Sequence, residues 1–578
     1  MAKALIAPSI PIVRGFQMIH SQHKAPNGHA KVECVVIGYN EEPFSKYERL
    51  IRNYGRDSVA YRDLSLSSLD VNSTPTKYID VLNYAITASG NARLQEKLGE
   101  LQSGDIPNLA AIYLTNFLLK RGINTQYINL FQSEKDLLAS YLADTPYCVA
   151  ITTTFYVLNS PLYEMIEFIR RHNPAVKIVV GGPLISNHCR NYSGEVLATA
   201  LKDIKADVYV VDPQGEQALL NIITHVRDGK DLSTVPNVMY VVNGTLKETT
   251  LVPESNSLDS NDIDWRVISR TDLGPTLQTR TARSCAFNCS FCNYPTRAGR
   301  LTLASVETVE RELNTMMEIE GVKNVVFIDD TFNVPLKRFK ELCRSIIKHQ
   351  YSFNWYSYFR CSNSDAEAIE LIKLSGCKGV FLGIESGSPE ILEKMNKIAR
   401  IDDYLRGMEL LHKYGIMTFA SFITGFPGET ERTVLETKSF IQETAPTYYR
   451  SQVWYCEQGT PIYEQRDKYG IKGSGFVWQH STMTSSQAIA HVEDLVCSIS
   501  KSTWLPQWSF DFWIIPYLLG KGISEAQLLS FLRLAHQLLV LKIEQRYRND
   551  AGQDSQTEML QRLLNEVASW PALEATNS

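Results

Sequence analysis

Apolar and polar positions along this chain alternate between two periods. From about residue 107, short apolar runs at 125–130, 148–153, 177–180 and 207–211 read as buried strands. Between them, apolar residues recur every three to four positions at 108–121, 134–142, 161–171, 196–201 and 218–227, the signature of one-sided helices. Repeated strand–helix alternation predicts a doubly wound (Rossmann-like) parallel α/β sheet over 107–252, closed by a hairpin at 237–242 and 248–252. A polar stretch at 253–262 opens a linker running to 276. The rhythm returns over 277–465. Helices are predicted at 306–317, 337–349, 366–374, 402–414 and 436–444, and strands at 324–328, 354–360, 379–384, 417–423 and 451–455. That is the pattern of a partial (β/α)6 barrel. Residues 466–578 end in helical patterns at 524–547 and 557–569. Before 107 only 34–38 reads clearly, as a buried strand, so 1–106 is expected to be an N-terminal extension.

In both kinds of sheet, ligands gather beyond the carboxyl ends of the strands. In the first unit those ends carry Thr152, Thr153 and Thr154, then Gly181, Gly182 and Pro183, then Gly215 and Glu216. Glycine lets a ligand approach the backbone and threonine offers a hydroxyl, but both are common in such loops. In the second unit the ends carry Asp329 and Asp330, Arg360, Glu385 and Ser386, and the loop Gly425-Phe426-Pro427-Gly428-Glu429. A carboxylate suits an ammonium group, and Asp also caps helices, so one of Asp329 and Asp330 is expected to do each job. Arg360 suits either a ligand carboxylate or a structural ion pair.

The run Ser-Cys-Ala-Phe-Asn-Cys-Ser-Phe-Cys places Cys285, Cys289 and Cys292 in C-x3-C-x2-C spacing. Three thiolates can hold three corners of a [4Fe–4S] cubane and leave the fourth iron open, whereas a closed electron-transfer cluster wants four cysteines. Zinc would want four ligands, and the nearest histidines in sequence are His225 and His349. A disulfide set fails on the odd number.

With Phe291 before the third cysteine, the run resembles the signature of the radical S-adenosylmethionine (SAM) enzymes, and the polar strand ends fall where that family meets SAM. The resemblance implies that the open iron chelates SAM, that Asp329 or Asp330 meets its amino group, and that Glu385 and Ser386 meet its ribose or carboxylate. It also implies that the Gly425–Phe426–Pro427 loop packs near adenine. The upstream unit resembles the cobalamin-binding domain of the cobalamin-dependent radical SAM enzymes, with the threonine run and Gly-Gly-Pro loop against the cofactor. It departs from the older cobalamin motif: the loop after 125–130 (Phe-Gln-Ser-Glu-Lys-Asp) holds no histidine for cobalt. The runs Cys-Val-Val-Ile-Gly-Tyr-Asn40, Thr-Thr-Thr-Phe-Tyr156 and Phe-Ile-Asp-Asp-Thr-Phe-Asn333 are similar to the subgroup named for the P-methyltransferases of phosphinothricin biosynthesis.

What the resemblance implies is a methyltransferase in natural-product, such as antibiotic, biosynthesis that uses two SAM molecules. One methylates cobalamin to methylcobalamin. The other yields a 5′-deoxyadenosyl radical that takes hydrogen from an unactivated carbon, or from a phosphinate phosphorus, of a small-molecule or peptide substrate. A flavodoxin or ferredoxin would supply the electron. Competing readings are a radical SAM enzyme that rearranges, cyclises or epimerises its substrate without methyl transfer, and a non-enzymatic iron–sulfur or cobalamin carrier.

Composition narrows the partners. Of 578 residues 44% are hydrophobic and 21% charged, and the net charge of −5 supplies no basic field for nucleic acid. The 11 cysteines are scattered beyond the triad, as in a reducing cytosol. The first residues lack a secretion signal, and the apolar stretch 510–520 is too short to span a bilayer, so a cytoplasmic protein without membrane contact is expected. Tyr455 and Cys456, ending the sixth barrel strand, are candidates for proton or hydrogen-atom transfer. Trp478, His480, Trp504, Trp508 and Trp513 read as core more readily than as a lid over substrate.

Overall fold

A computed structural model of the chain describes residues 31–268, 273–508, 510–548 and 553–571. The N-terminal stretch read for a secretion signal lies outside the described residues. Two seven-stranded sheets dominate. The first comprises β1 (Cys34–Tyr39), β2 (Thr125–Leu130), β3 (Cys148–Thr152), β4 (Lys177–Gly181), β5 (Val208–Val210), β6 (Val238–Val242) and β7 (Thr245–Glu248). Its spatial order is β2-β1-β3-β4-β5-β6-β7, parallel through β5 and antiparallel after it. The order reverses at β1, so the crevice between the carboxyl ends of β1 and β3 is the switch point where such sheets bind ligands.

The strands are apolar on both faces because helices cover both. Val35, Ile37, Val149, Ile151, Ile178 and Val180 pack on one side against Leu162, Met165 and Ile169 of the helix Ser160–His172. Cys34, Val36, Cys148 and Ala150 face the helices Leu109–Leu119 and Glu216–Arg227, in a core that continues into the second sheet. The predicted hairpin forms, but its second strand is Thr245–Glu248 and not 248–252. Asn243 and Gly244, both with positive φ, make a two-residue turn.

The second sheet comprises β8 (Thr276–Thr279), β9 (Asn324–Phe327), β10 (Asn354–Phe359), β11 (Cys377–Glu385), β12 (Met417–Thr424), β13 (Tyr448–Val453) and β14 (Thr503–Trp504), parallel and in chain order. It is a partial (β/α) barrel with a two-residue seventh strand contributed by the C-terminal region. Tyr358, Phe381, Phe419 and Phe512 fill its interior, with ring centroids 4.8–6.3 Å apart.

A boundary at 107 cuts this architecture in the wrong place. The run at 34–38 is not part of an extension: it is the strand at the switch point, paired on both sides. A single buried strand followed by more than eighty residues of other structure carries no periodic signal tying it to a sheet that resumes at 125. The segment between packs on the C-terminal region. Arg62 pairs with Glu493 at 2.5 Å, the Lys542 ammonium donates to the Ser68 carbonyl at 2.9 Å, and the Tyr517 hydroxyl donates to Asp105 at 2.5 Å. In that C-terminal region the helix Glu525–Arg548 is long and apolar enough to cross a membrane by length and composition alone. Here Leu528, Phe531, Leu532, Ala535 and Leu539 bury its apolar side within the protein.

Candidate functional site

The cysteine loop follows β8 and is tied down along its length. Asp329, fully enclosed at the end of β9, accepts the Thr281 N–H and hydroxyl at 2.6 Å each and the Ala282 N–H at 2.9 Å. Ser284, just before the first cysteine, sits at φ +72°, a strained backbone for a residue with a side chain, and donates its hydroxyl to the Gly299 carbonyl at 2.6 Å. Ser290 donates its N–H to Met395 and its hydroxyl to Lys394, at 2.9 and 2.8 Å. Asn293 donates to Glu457 at 2.7 Å. A loop pinned this often holds its side chains in place before any ligand arrives.

None of the described cysteines forms a disulfide. Among the described residues no three His, Cys, Asp or Glu side chains converge on a single-ion site, so the zinc reading finds no ligand set. The three thiols of the loop sense one another electrostatically. Burial raises Cys289, with Lys397 and Arg360 pulling it back, and pushes Cys292 up to about 11 even though its sulfur accepts the Tyr294 N–H at 3.4 Å. Without iron these groups stay thiols, and loading a metal would release their protons. The donor set, three thiols on one pinned loop with no fourth cysteine beside them in sequence, fits three corners of a cubane.

The strand ends around the loop divide into braces and open groups. Asp329 is a brace. Asp330 makes no carboxylate hydrogen bond or ion pair to another described residue, only a contact with its own backbone N–H. It is densely surrounded by protein yet still open to solvent, and desolvation with the neighbouring Asp329 charge pushes it up to about 7. Ser386 is fully buried, its hydroxyl shared with Thr437 at 3.2 Å and the Ser388 N–H at 3.1 Å. Glu385 beside it sits at φ +69° on a register shift of β11 and pairs with Lys397 at 3.1 Å. Lys397 also lies 5.6 Å from the Phe291 ring centre. Arg360 lies flat on Phe287 at 3.7 Å and donates to the Ile398 carbonyl at 3.1 Å, with no ion pair among the described residues. The glycine–proline loop is covered: Phe426 and Pro427 are buried, and a Cβ on Gly425 would fall 2.7 Å from Trp478. His480 donates from Nε2 to the Gly425 carbonyl, 3.1 Å away, and stacks on Trp478. This loop therefore meets protein where SAM contact is expected of it.

Opposite the cysteine loop stands the carboxyl edge of the first sheet. A cavity of about 830 Å³ runs between them, lined by Thr152, Thr154, Gly181, Gly182, Pro183, Gly215 and Glu216 on one side and Arg283, Tyr294 and Arg297 on the other. Thr152 donates its hydroxyl to the Gly38 carbonyl and Thr153 to the Gly181 carbonyl, both at 2.8 Å, so these two stitch strand ends together. Thr154 is exposed to the cavity. Gly182 (φ +105°) and Gly215 (φ +72°) each turn the chain into a helix, and a Cβ would fall 2.9 Å from Thr153 and 2.8 Å from Val210. Glu216 is buried and faces Arg283 and Arg280 at 3.5 and 3.8 Å, a joint between the two sheets.

Two residues of this site carried no signal in the sequence. Asn108 caps the helix Leu109–Leu119 through its side-chain oxygen, which is what Asn before a helix ordinarily does. Its Nδ2 is buried without a partner, beside the end of β1 at the switch point. An orphaned donor at that place fits a bound acceptor such as a corrin amide. Lys397 belongs to no motif and reaches the cysteines only through folding.

Tyr455 and Cys456 separate. Tyr455 is half exposed and lines a second cavity, of about 910 Å³. Cys456 is buried, with its sulfur 3.7 Å from the Gly473 carbonyl and its backbone bridged to Gly475. The expectation that both face substrate fails because successive residues of extended chain point to opposite sides. The tryptophans also divide: Trp478 and Trp504 are core, whereas Trp508 and Trp513 line the second cavity. No histidine lines the first cavity.

Comparison with known proteins agrees with this layout. Residues 279–441 match the Radical SAM superfamily. An uncharacterized methyltransferase of Pyrococcus horikoshii is 27% identical over 325 residues, 55% of this chain and 69% of that protein. The anaerobic magnesium-protoporphyrin IX monomethyl ester cyclase of Rubrivivax gelatinosus is 25% identical over 364 residues, 60% of this chain and 63% of its own. Among solved structures, the radical SAM methyltransferase TsrM of Kitasatospora setae, with cobalamin and a [4Fe–4S] cluster bound, superposes with a TM-score of 0.58. That match has 17% identity and covers 80% of this chain and 97% of that one, a likeness of fold. Residues 279–441 thus form a radical SAM domain that follows a doubly wound sheet, and the chain is an enzyme.

Proposed function

We propose that this enzyme is a cobalamin-dependent methyltransferase that methylates carbon in a small molecule. The observation that carries the reading is the 830 Å³ cavity, which has the switch point of the first sheet as one wall and the residues after the cysteine loop as the other. When bound, a [4Fe–4S] cluster with SAM supplies an organic radical, and cobalamin supplies the methyl group to be passed on.

The chain's own residues then have separate tasks. Cys285, Cys289 and Cys292 hold the cluster. Lys397, paired with Glu385, keeps a positive charge beside Cys289 and favours its thiolate. Asp330, the acid left without a partner, faces the SAM ammonium. Glu385, Arg360 and Phe291 flank the remaining groups of SAM. Asn108, Thr154 and the glycine turns at 181–182 and 215 would hold cobalamin. Residues 44–105 and the C-terminal region pack on one another, wall the second cavity and would keep water from the radical. A flavodoxin- or ferredoxin-type protein is the expected electron donor.

Anaerobic turnover with product analysis tests the proposal. Methyl transfer predicts S-adenosylhomocysteine and 5′-deoxyadenosine in equal yield, corrin bands in the visible spectrum, and no reductive SAM cleavage by Cys289→Ala. The cyclase of Rubrivivax gelatinosus among the relatives favours one second reading, radical chemistry without methyl transfer. That reading predicts 5′-deoxyadenosine alone.

A further inference from the structure

The second cavity adjoins the first, sharing Asn108, Phe155 and Gln278 with it, and has a different chemistry. Its charged lining residues are Glu41, Asp57, Asp63 and Asp511, and no Lys, Arg or His lines it. Two of the acids are answered from behind the wall, Glu41 by Lys77 and Asp511 by Arg450, each at 2.6 Å. Asp63 is not. Its carboxylate makes no hydrogen bond or ion pair with any described residue, and burial, offset only in part by the Arg450 charge, pushes it up to about 7. A lone carboxylate enclosed by protein is costly unless a cation arrives.

The surroundings suit a cation. Tyr47 lies close enough to feel the Asp63 and Tyr455 charges, and its ring centroid is 4.7 Å from that of Trp508. Trp513 and Phe155 continue the wall, 6.3 Å apart, toward the shared opening. Aromatic faces attract ammonium groups and offer apolar area to the rest of a ligand. Asn108, at the shared opening, carries an unpaired Nδ2 donor, which suits an acceptor in the first cavity and not an ammonium.

We propose that this cavity is the substrate site and that it selects a small molecule carrying a protonated amine on an aromatic or apolar body. The amine lies at Asp63 among Tyr47, Tyr455 and Trp508, and the body points along Phe155 and Gln278 toward the first cavity. This rests on the reading of the barrel as the site of radical chemistry. It disfavours the phosphinate substrate of the P-methyltransferase resemblance, because an anion would meet uncompensated acid and no cation.

Isothermal titration of the full-length purified chain tests this with 2-phenylethylamine, 3-phenylpropionate and phenylphosphinate, close in size and opposite in charge. At about pH 8, above the Asp63 value, the amine is expected to bind at least about tenfold more tightly than either anion, on the order of 1.4 kcal/mol. Asp63→Asn should erase most of that preference, and Tyr455→Ala, at a half-exposed position, should weaken the amine alone about threefold with an unchanged thermal melt. Equal affinities, tighter anion binding, no saturable amine binding up to about 10 mM, or a preference intact in Asp63→Asn overturns the proposal. The experiment needs no turnover, so its failure leaves the methyl-transfer reading standing. A chain that fails to cleave SAM could still pass it.

Discussion

Two adjoining cavities of similar size are built on opposite principles. The first has acids and arginines on its wall, and part of them face one another: Glu216 meets Arg283 and Arg280 across the sheet–barrel joint. What remains for a ligand is glycine backbone, the Thr154 hydroxyl, the Asn108 amide, and the Arg297 and Arg300 guanidiniums, which have no ion pair among the described residues. Such a surface suits a large ligand recognised by shape and hydrogen bonds, with no lone acid for a cation. The second has acids whose partners are fewer, and Asp63 stands alone among aromatic rings. Such a surface suits a compact cation. The lesson is that the count of charges in a cavity says little until each is traced to its partner.

The comparison is broken most sharply at Gly182. A side chain there would strain a φ of +105° and press on Thr153 at 2.9 Å. Gly182→Val is expected to cut corrin loading by about tenfold or more, read from visible absorbance, with iron content and 2-phenylethylamine binding retained. Loss of all three together would show one site where two are described.

A buried acid outside both cavities sharpens the contrast next. Glu429 is 1% exposed, accepts the Gly425 N–H, and is pushed by burial from 4.5 up to about 8. Because the folded value is raised, the stability tied to this group is full below about 4.5 and is lost as pH rises through about 8. Urea melts at about pH 5 and about pH 8.5 should show that fall, and Glu429→Gln should remove part of it, on the order of 2 kcal/mol. An unchanged slope would mean that the Gly425 N–H holds the charged form.

The smallest effect separates neighbours. Cys456→Ala is expected to cost roughly 1–2 kcal/mol of stability and leave amine affinity unchanged. Tyr455→Ala is expected to do the reverse, a threefold loss of affinity with the melt unmoved. Equal effects on binding would place both side chains on the second cavity after all.

Much of the fold was legible because its signal is local. Strands of the first sheet are buried on both faces and its helices on one, so β2 to β5 and the barrel strands β9 to β13 announce themselves by period, whereas the four-residue β8 does not. The exceptions had no such signal. β1 is separated by more than eighty residues from the nearer of its partners, β14 has two residues, and the hairpin's second strand falls at Thr245–Glu248, before the apolar Leu251-Val252 that suggested it. The site followed the same division. The cysteine triad is readable because three ligands sit within eight residues, whereas Lys397 arrives at Cys289 from more than a hundred residues away. Asp329 and Asp330 look alike in sequence, and only hydrogen bonding to Thr281 and Ala282 assigns one to bracing and leaves the other open.

By itself the sequence determined the two α/β units, their order, and the chemistry of the cysteine loop, because period and spacing are properties of neighbouring residues. The tertiary structure decided which polar groups are still unpaired after folding. Cys456 turned inward, Thr152, Thr153 and Ser386 became clasps, the Gly425 loop was covered, and residues before 107 formed a strand and a cavity wall. Pairing depends on which long-range contacts consume a donor or an acceptor, and no local pattern records that. Asn108 and Asp63 stand out for that reason: after every such contact is made, each still lacks a partner.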